Sequence, residues 1–192
     1  MLTISFTAFP EIRTERLRLR AVTPSDADAL FELRRMDEVM LYLDRPRPQT
    51  IDEVVELIEK INTSFEQGEG ISWIIAEQGM EKAIGTIGFW RMDKPNHRAE
   101  IGYMLHPDHW GKGYATEAMH AVLLYAFDTL KFHSIEANIN PLNEASKKLL
   151  EKTGFVQEAY FRENYFFDGR FLDSVIYSLL GRQYTLHGHP DH

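Results

Sequence analysis

A short segment in the middle of the chain, from His106 to Ala118, most narrows what this sequence can fold into. Gly111 and Gly113 lie one residue apart, after a run typical of a strand and before a run typical of a helix. Glycine lets a backbone approach a ligand closely because it has no Cβ. The first turn of a helix adds unpaired N–H groups and the positive end of its dipole. The segment therefore predicts an anion-binding turn, with a simple tight turn as the alternative.

Two other phosphate-binding motifs do not fit this segment. The dinucleotide-binding fingerprint needs a third glycine three residues after Gly113, and the segment has none there. A Walker A loop needs Ser or Thr directly after its lysine, whereas Gly113 follows Lys112. What remains is a shorter loop of about six residues.

The hydrophobic pattern predicts one mixed α/β (α+β) domain. Polar–apolar alternation and runs of β-branched and aromatic residues predict strands at residues 16–22, 72–77, 83–92, 98–105, 134–139, 155–167 and 170–180. Capping residues and helical spacing predict helices at residues 24–36, 51–68, 114–130 and 143–153. Asp168-Gly169 marks a tight hairpin between the last two strands. The whole chain, 1–192, is expected to form this single domain, with its core at about 11–181 and a flexible tail at 182–192.

Composition excludes several classes of function. The chain has no cysteine, which removes disulfides, thiolate metal sites and thiol catalysis. Its formal charge of −8 argues against a nucleic-acid partner or an anionic membrane surface. No run is long enough to span a membrane and Met1–Pro10 lacks the basic start of a signal peptide, so we expect a cytoplasmic protein. For the terminal His187, His189 and His192 a flexible tail is favoured over a metal site, and no metal is assigned.

The central segment, with three others, resembles the GNAT acetyltransferases. Trp110-Gly-Lys-Gly-Tyr-Ala115 is similar to their pyrophosphate loop, with Trp110 in place of the usual Gln or Arg, as in the RimJ/RimL-like branch. Three further segments match in order, at residues 12–20, 100–105 and 143–155. The resemblance covers residues 11–181. It implies a mixed, mostly antiparallel sheet with helices on both faces, in which a central pair of parallel strands splays apart where acetyl-CoA binds.

The resemblance also implies which residues hold acetyl-CoA, in the gap between the strand that ends at Leu105 and the strand at 134–139. The backbone of Met104, Leu105 and His106 is expected to bond the pantetheine amides. The remaining cofactor-binding residues are expected to be Trp110, Gly111, Lys112, Gly113, Tyr114, Ala115, Thr116, Asn138, Asn143 and Ser146.

Direct attack of an amine on a thioester needs a base for the amine and a proton for the departing thiolate. Glu100, on the strand that leads into the gap, is the preferred base, and the resemblance points to Ser146 as the acid. Relatives that acetylate ribosomal proteins carry a carboxylate near the position that Tyr165 occupies here. Glu163, two residues earlier and expected on the same strand face, is an alternative, and Tyr165 itself is a further candidate acid.

The acceptor stays open at the level of the sequence. A protein or peptide N-terminus is the leading hypothesis, a small amine such as a polyamine, amino acid or antibiotic is the second, and a non-catalytic acyl-CoA sensor is the third. Opposite charges occur in the region expected to bind the acceptor: basic residues at 34, 35, 45 and 47, and acidic residues at 32, 38 and 44. The aromatic closing strands are expected to form either a homodimer surface or part of the core.

Overall fold

The computed structural model describes residue 6 and residues 8–186 of the chain, with side chains described as far as residue 184. It contains eight strands: β1 (Ile12–Arg13), β2 (Leu17–Ala21), β3 (Ile71–Glu77), β4 (Gly85–Asp93), β5 (Arg98–Leu105), β6 (Ser134–Ile139), β7 (Val156–Phe167) and β8 (Arg170–Leu180). Its α-helices are α1 (Ala27–Leu33), α2 (Asp37–Met40), α3 (Ile51–Glu66), α4 (Tyr114–Leu124), α5 (Glu144–Lys152) and α6 (Gly181–Leu186).

Local capping explains where two of the helices begin. The Thr50 hydroxyl accepts a hydrogen bond from the Glu53 amide at 3.4 Å and so begins α3. The Asn143 side chain accepts one from the Ser146 amide at 3.0 Å and begins α5. Each bond satisfies an N–H group that has no partner within the helix.

Several bounds differ from the sequence-based prediction. The helix expected to end at Leu130 has α geometry only to Leu124 and then widens into a π turn at Tyr125–Thr129. The helix expected to run to Met36 ends at Leu33, and the short α2 follows. The sequence analysis did not predict β1, α2 or α6, because segments of two to six residues carry little periodic signal. Residues 182–186 of the predicted tail thus belong to α6. His187, His189 and His192 lie outside the described residues.

The strands form one sheet in the order β1-β2-β3-β4-β5-β6-β8-β7. All neighbours are antiparallel except β5 and β6, which pair in parallel only through Arg98, Ala99 and Glu100 of β5. Beyond Glu100 both strands continue, β5 to Leu105 and β6 to Ile139, without pairing. We call this opening between residues 101–105 and 137–139 the seam. The predicted splayed parallel pair is confirmed.

Helices cover both faces of the sheet, as predicted. Trp73 and Ile75 of β3 belong to the cluster packed against α4, whereas Ile74 belongs to the cluster packed against α1 and α3. Alternate strand residues point to opposite faces, so one strand supplies both hydrophobic layers. The seam therefore opens between two packed layers, with α4 on one side and α1 and α3 on the other.

The closing hairpin is largely exposed at the edge of the sheet. Tyr160, Phe161, Phe166 and Phe171 are each about half exposed or more, so these aromatics do not belong to the core of this chain. The homodimer surface remains a prediction. A register shift lies between Phe161 and Tyr165, and Glu163 there has a φ of 48°.

Candidate acetyl-transfer site

At one end of the seam, the loop after β5 is shaped by two left-handed glycines. Gly111 and Gly113 have φ values of 71° and 82°, a conformation that costs other residues about 1–2 kcal/mol. Gly113 stands at the start of α4, and no side chain caps that helix. The first amides of α4 therefore face an exposed loop with the positive end of the helix dipole behind them. This geometry suits a phosphate group.

Arg16 holds this loop in place from the other side of the chain. Its guanidinium donates to Glu117 through Nε at 2.7 Å and to the Lys112 carbonyl at 2.8 Å. Glu117 also accepts from the Arg16 amide and from the Thr14 hydroxyl. These bonds lower the pKa of Glu117 against the effect of burial, which raises it. Arg16 was part of a matching segment in the sequence, but its role in supporting the loop was not predicted.

The backbone along the seam differs from the predicted arrangement. The His106 amide donates to the Ile84 carbonyl at 2.7 Å, so His106 faces β4. In an antiparallel ladder alternate residues face the same neighbour, so Met104 faces β4 as well, and Tyr103 and Leu105 face the seam. The Leu105 carbonyl accepts from the indole of Trp110 at 2.8 Å. The open groups on this edge thus belong to Tyr103 and to the Leu105 amide, not to three consecutive residues.

On the face covered by α1 and α3, a cavity of about 330 Å³ opens along the seam and extends past its other end to Trp90, the partner of Glu100 in the sheet. Four of the predicted site residues line it: Met104, Asn138, Asn143 and Ser146. Tyr103 lines it too. Residues Trp110 to Thr116 belong to the loop that follows β5 and do not line the cavity.

Tyr103 is the residue that the sequence analysis missed. Its hydroxyl is buried and has no hydrogen-bond partner among the described residues. Burial raises the pKa of Tyr103 to about 12, and the nearby Ser146 hydroxyl opposes that rise. Position 103 lies within the matched strand segment, and the alternation of β5 would have placed it on the seam. An unpaired phenol beside a serine hydroxyl offers two proton donors at the junction of seam and cavity.

Glu100 lies buried on the same strand face as Gly102 and Met104, which line the cavity. Its carboxylate accepts a hydrogen bond from Arg91 at 3.0 Å. Arg91 reaches it because β4 has a bulge there, where Arg91 has a φ of 46°. Burial raises the pKa of Glu100, and the charge of Arg91 partly offsets that rise. A carboxylate with a raised pKa is suited to take up a proton near neutral pH.

Tyr165 and Glu163 lie elsewhere. The Tyr165 hydroxyl donates to Asp44 in the loop between α2 and α3. Burial and this bond raise the pKa of Tyr165. Glu163 is exposed at the bulge of β7, so the regular alternation expected to place it beside Tyr165 is interrupted. Neither residue lines the cavity in the described part of the chain.

The cavity has an unexpected charge. Arg34, Arg45 and Lys60 line it, and no Asp or Glu of the described residues does. Arg47, by contrast, is turned outward and pairs with Asp37. The structure thus separates the basic cluster of the sequence into two arginines at the cavity and others at the surface. Within the described residues, no helix is long and apolar enough to cross a membrane, and no group of three potential metal ligands occurs.

Comparison with known proteins agrees with this geometry. Residues 16–156 match the family described as "Acetyltransferase (GNAT) domain". The uncharacterized N-acetyltransferase YoaA of Bacillus subtilis is 36% identical over 172 residues, which cover 90% of this chain and 97% of that protein.

Two solved structures share the fold. Spermidine N-acetyltransferase from Vibrio cholerae, in complex with CoA and spermine, has a TM-score of 0.79 and 25% identity, covering 90% of this chain and 99% of that one. RimL, a ribosomal L7/L12 α-N-protein acetyltransferase in complex with CoA, has a TM-score of 0.80 and covers 89% of this chain and 98% of that one. Its identity of 22% supports the fold alone.

Proposed function

Because this chain belongs to the GNAT acetyltransferase family, we propose that it transfers the acetyl group of acetyl-CoA to a primary amine by direct attack on the thioester. The observation that carries the proposal is the seam between β5 and β6. The seam leads from the uncapped start of α4 on one side to the cavity under α1 and α3 on the other. Acetyl-CoA, bound along the seam from the loop side, and an amine bound in the cavity would therefore meet where the seam and the cavity join.

The residues present fit acetyl-CoA, which supplies an activated carbonyl when bound. The amides of Gly111 to Ala115 and the Thr116 hydroxyl would hold the pyrophosphate, with Lys112 beside it. The Tyr103 and Leu105 backbone groups would bond the pantetheine as a short added strand. Asn138 and Asn143, at the far side of the seam, would complete the binding surface.

Glu100 is proposed to take the proton of the acceptor amine, directly or through water. A primary amine is mostly protonated at neutral pH, and only its neutral form attacks. The buried position of Glu100 and its raised pKa support this role. Ser146 and Tyr103 are proposed to donate to the thioester oxygen and to the departing sulfur, since both line the cavity at the seam.

We take a peptide N-terminal α-amine as the first acceptor class and a small amine as the second. The second is kept because the cavity volume of about 330 Å³ lies within the range of small-ligand pockets. The related structure bound to spermine is a polyamine enzyme. A polyamine carries several positive charges, and the cationic lining of this cavity argues against it here.

Thiol release from acetyl-CoA, detected with a thiol-reactive dye, tests the proposal. The chain has no cysteine, so it contributes no background. Peptides with different N-terminal residues and a panel of small amines serve as acceptors, with acetyl-CoA binding followed in parallel by thermal melting. We expect release that requires an acceptor. Tight binding without release for any acceptor would instead support the sensor hypothesis, and absence of binding would contradict the loop assignment.

A further inference from the structure

The acceptor cavity contains two cations that have no counter-ion. Arg34 and Arg45 are both half-buried. Within residues 8–186, neither side chain forms an ion pair or a hydrogen bond; Arg45 only lies over the ring of Trp90, 5.1 Å from its centroid. Burial and the charge of Arg45 lower the pKa of Arg34 to about 10, and burial lowers the pKa of Arg45. Two half-buried guanidinium groups that repel each other gain from an anion placed between them.

The lack of a partner is local and does not reflect a shortage of carboxylates. The chain has 29 acidic residues against 21 basic ones, and the other described arginines that are not exposed, Arg18, Arg20 and Arg98, each pair with a carboxylate. Arg20 forms a buried ion pair with Asp26, and Arg91 covers Glu100, the acidic residue that attracts Arg45. Among the described arginines that are buried or half-buried, Arg34 and Arg45 are therefore the two without a carboxylate partner, which suggests that a ligand supplies it.

That ligand group is not a phosphate of CoA. Arg45 lies over Trp90, which pairs with Glu100 near the start of β5. The pyrophosphate loop lies beyond Leu105, five residues further along the strand, a distance of about 16 Å at about 3.3 Å per residue. The arginines thus face the acceptor side of the junction.

We propose that Arg34 and Arg45 bind an oxyanion, a carboxylate or a phosphate, carried by the acceptor on the same molecule as its reactive amine. This inference rests on the proposed function and names the acceptor's chemical class: an anionic amine. Guanidinium groups bind carboxylate and phosphate in paired, charge-assisted hydrogen bonds, which suits them to this role. Lys60, at the exposed edge of the cavity, adds attraction but is already near Glu56.

Matched acceptor pairs test the proposal and separate the sources of the anion. The pairs are 4-aminobutyrate against butylamine, phosphoethanolamine against ethanolamine, and the peptide amide Ala-Asp-Ala against Ala-Asn-Ala. We expect the anionic member of at least one pair to have a kcat/KM higher by about 10- to 100-fold, the effect of one charge-assisted interaction. Equal or lower values for the anionic member in every pair would overturn the proposal while leaving acetyl transfer intact.

Substitution assigns the effect to the two arginines. In R34Q and R45Q, KM for the anionic acceptor is expected to rise by about 10-fold or more, with KM for acetyl-CoA unchanged. R47Q is the matched control, because Arg47 is in the same loop but pairs with Asp37 at the surface. An increase in KM for acetyl-CoA instead would indicate CoA recognition and contradict the proposal.

A binding measurement keeps the proposal testable without turnover. In the presence of CoA, glutarate and inorganic phosphate are titrated against the melting temperature of the wild type, R34Q, R45Q and R34M. We expect at least one anion to stabilise the wild type and none to stabilise the variants to the same extent. Without anion, the variants should melt at the same or a higher temperature, since one of two half-buried charges that repel each other is removed. Equal responses in wild type and variants would overturn the proposal even if no acceptor reacts.

Discussion

The two ends of the seam offer different groups to a ligand. The loop end offers backbone groups: two left-handed glycines and the uncapped amides of α4. The cavity end offers side chains that come from distant segments, such as Arg34 after α1 and Ser146 in α5. At the loop, Arg16 and Glu117 form an ion pair with each other. In the cavity, Arg34 and Arg45 have no ion pair and the Tyr103 hydroxyl has no hydrogen bond within the described residues.

This difference matches the two tasks. A backbone geometry that depends on two glycines suits the single donor proposed here, acetyl-CoA. A site made of side chains can change its acceptor without disturbing the sheet. Variants at the two ends should therefore separate donor binding from acceptor chemistry.

The largest effect is expected from Glu100→Gln at the cavity end. Loss of a general base lowers kcat by about 100-fold or more. A general base works only when it is deprotonated. Wild-type activity should therefore fall as the pH drops through the raised pKa of Glu100, and we call this fall the acid limb of the pH profile. In Glu100→Gln the acid limb should be absent. Glu136→Gln is the matched control, since Glu136 pairs with Glu100 in register but bonds to Arg98.

Arg91→Gln should move the same acid limb. The Arg91 charge lowers the pKa of Glu100, so its removal shifts the limb to higher pH without abolishing turnover. If the acid limb of the pH profile is unchanged in both Glu100→Gln and Arg91→Gln, Glu100 is not the base. Tyr103 and Ser146 would then be the next residues to test.

The next largest effect is expected from Gly113→Ala at the loop end. Its φ of 82° strains any other residue by about 1–2 kcal/mol, and a Cβ would lie 3.3 Å from the Arg16 guanidinium. KM for acetyl-CoA should rise by about 10-fold, with the acceptor preference retained. Gly79→Ala carries similar strain at a φ of 79° in an open turn, so it should lower stability alone. A matching rise in KM for Gly79→Ala would mean that general destabilisation causes the effect.

The sequence predicted the loop end better than the cavity end for a physical reason. Glycine spacing and the start of a helix are local, so the residues from Gly111 to Thr116 are visible as a motif. The mostly antiparallel sheet with its central parallel pair also followed from a resemblance that covered the whole domain. The pairing of Arg91 with Glu100, by contrast, depends on a bulge in β4, and Glu163 leaves the predicted face because of a bulge in β7. Neither bulge has a glycine or proline to signal it.

The charge of the cavity was equally invisible in the sequence. The sequence does not show which of Arg34, Arg35, Arg45 and Arg47 line the cavity. Only the tertiary structure places Arg34 and Arg45 there and the other two at the surface. Arg47 reaches Asp37, and Arg35 lies over Phe31 at the surface. Arg47 and Asp37 are ten residues apart and do not share a helix or strand, so no periodic pattern in the sequence predicts their contact.

A smaller effect is expected from Arg16→Gln, which removes the support of the loop. Arg16 holds both Glu117 and the Lys112 carbonyl, but it is partly exposed, and such pairs contribute about 0.2–1 kcal/mol each. KM for acetyl-CoA should rise by roughly 3-fold, with kcat for bound substrates retained. Arg18→Gln is the control, because Arg18 lies on β2 and pairs with Glu11 and Glu81 away from the loop. An equal change in both variants would show that loss of charge, not of loop support, is responsible.

The smallest effect is expected from Tyr165→Phe, and its kinetic signature is more informative than its size. The Tyr165 hydroxyl holds Asp44, which lies between Leu43 and Arg45 in the loop at the cavity. Its removal should raise KM for the acceptor by roughly 2-fold, the effect of one weak hydrogen bond, and leave kcat unchanged. Tyr160→Phe removes the same kind of bond, to Asp173 in the exposed hairpin, and should change neither constant. A fall in kcat of about 100-fold for Tyr165→Phe would instead make Tyr165 a general acid. In that case the cavity end would depend on a residue outside its lining, and the separation between donor and acceptor ends would have to include the closing hairpin.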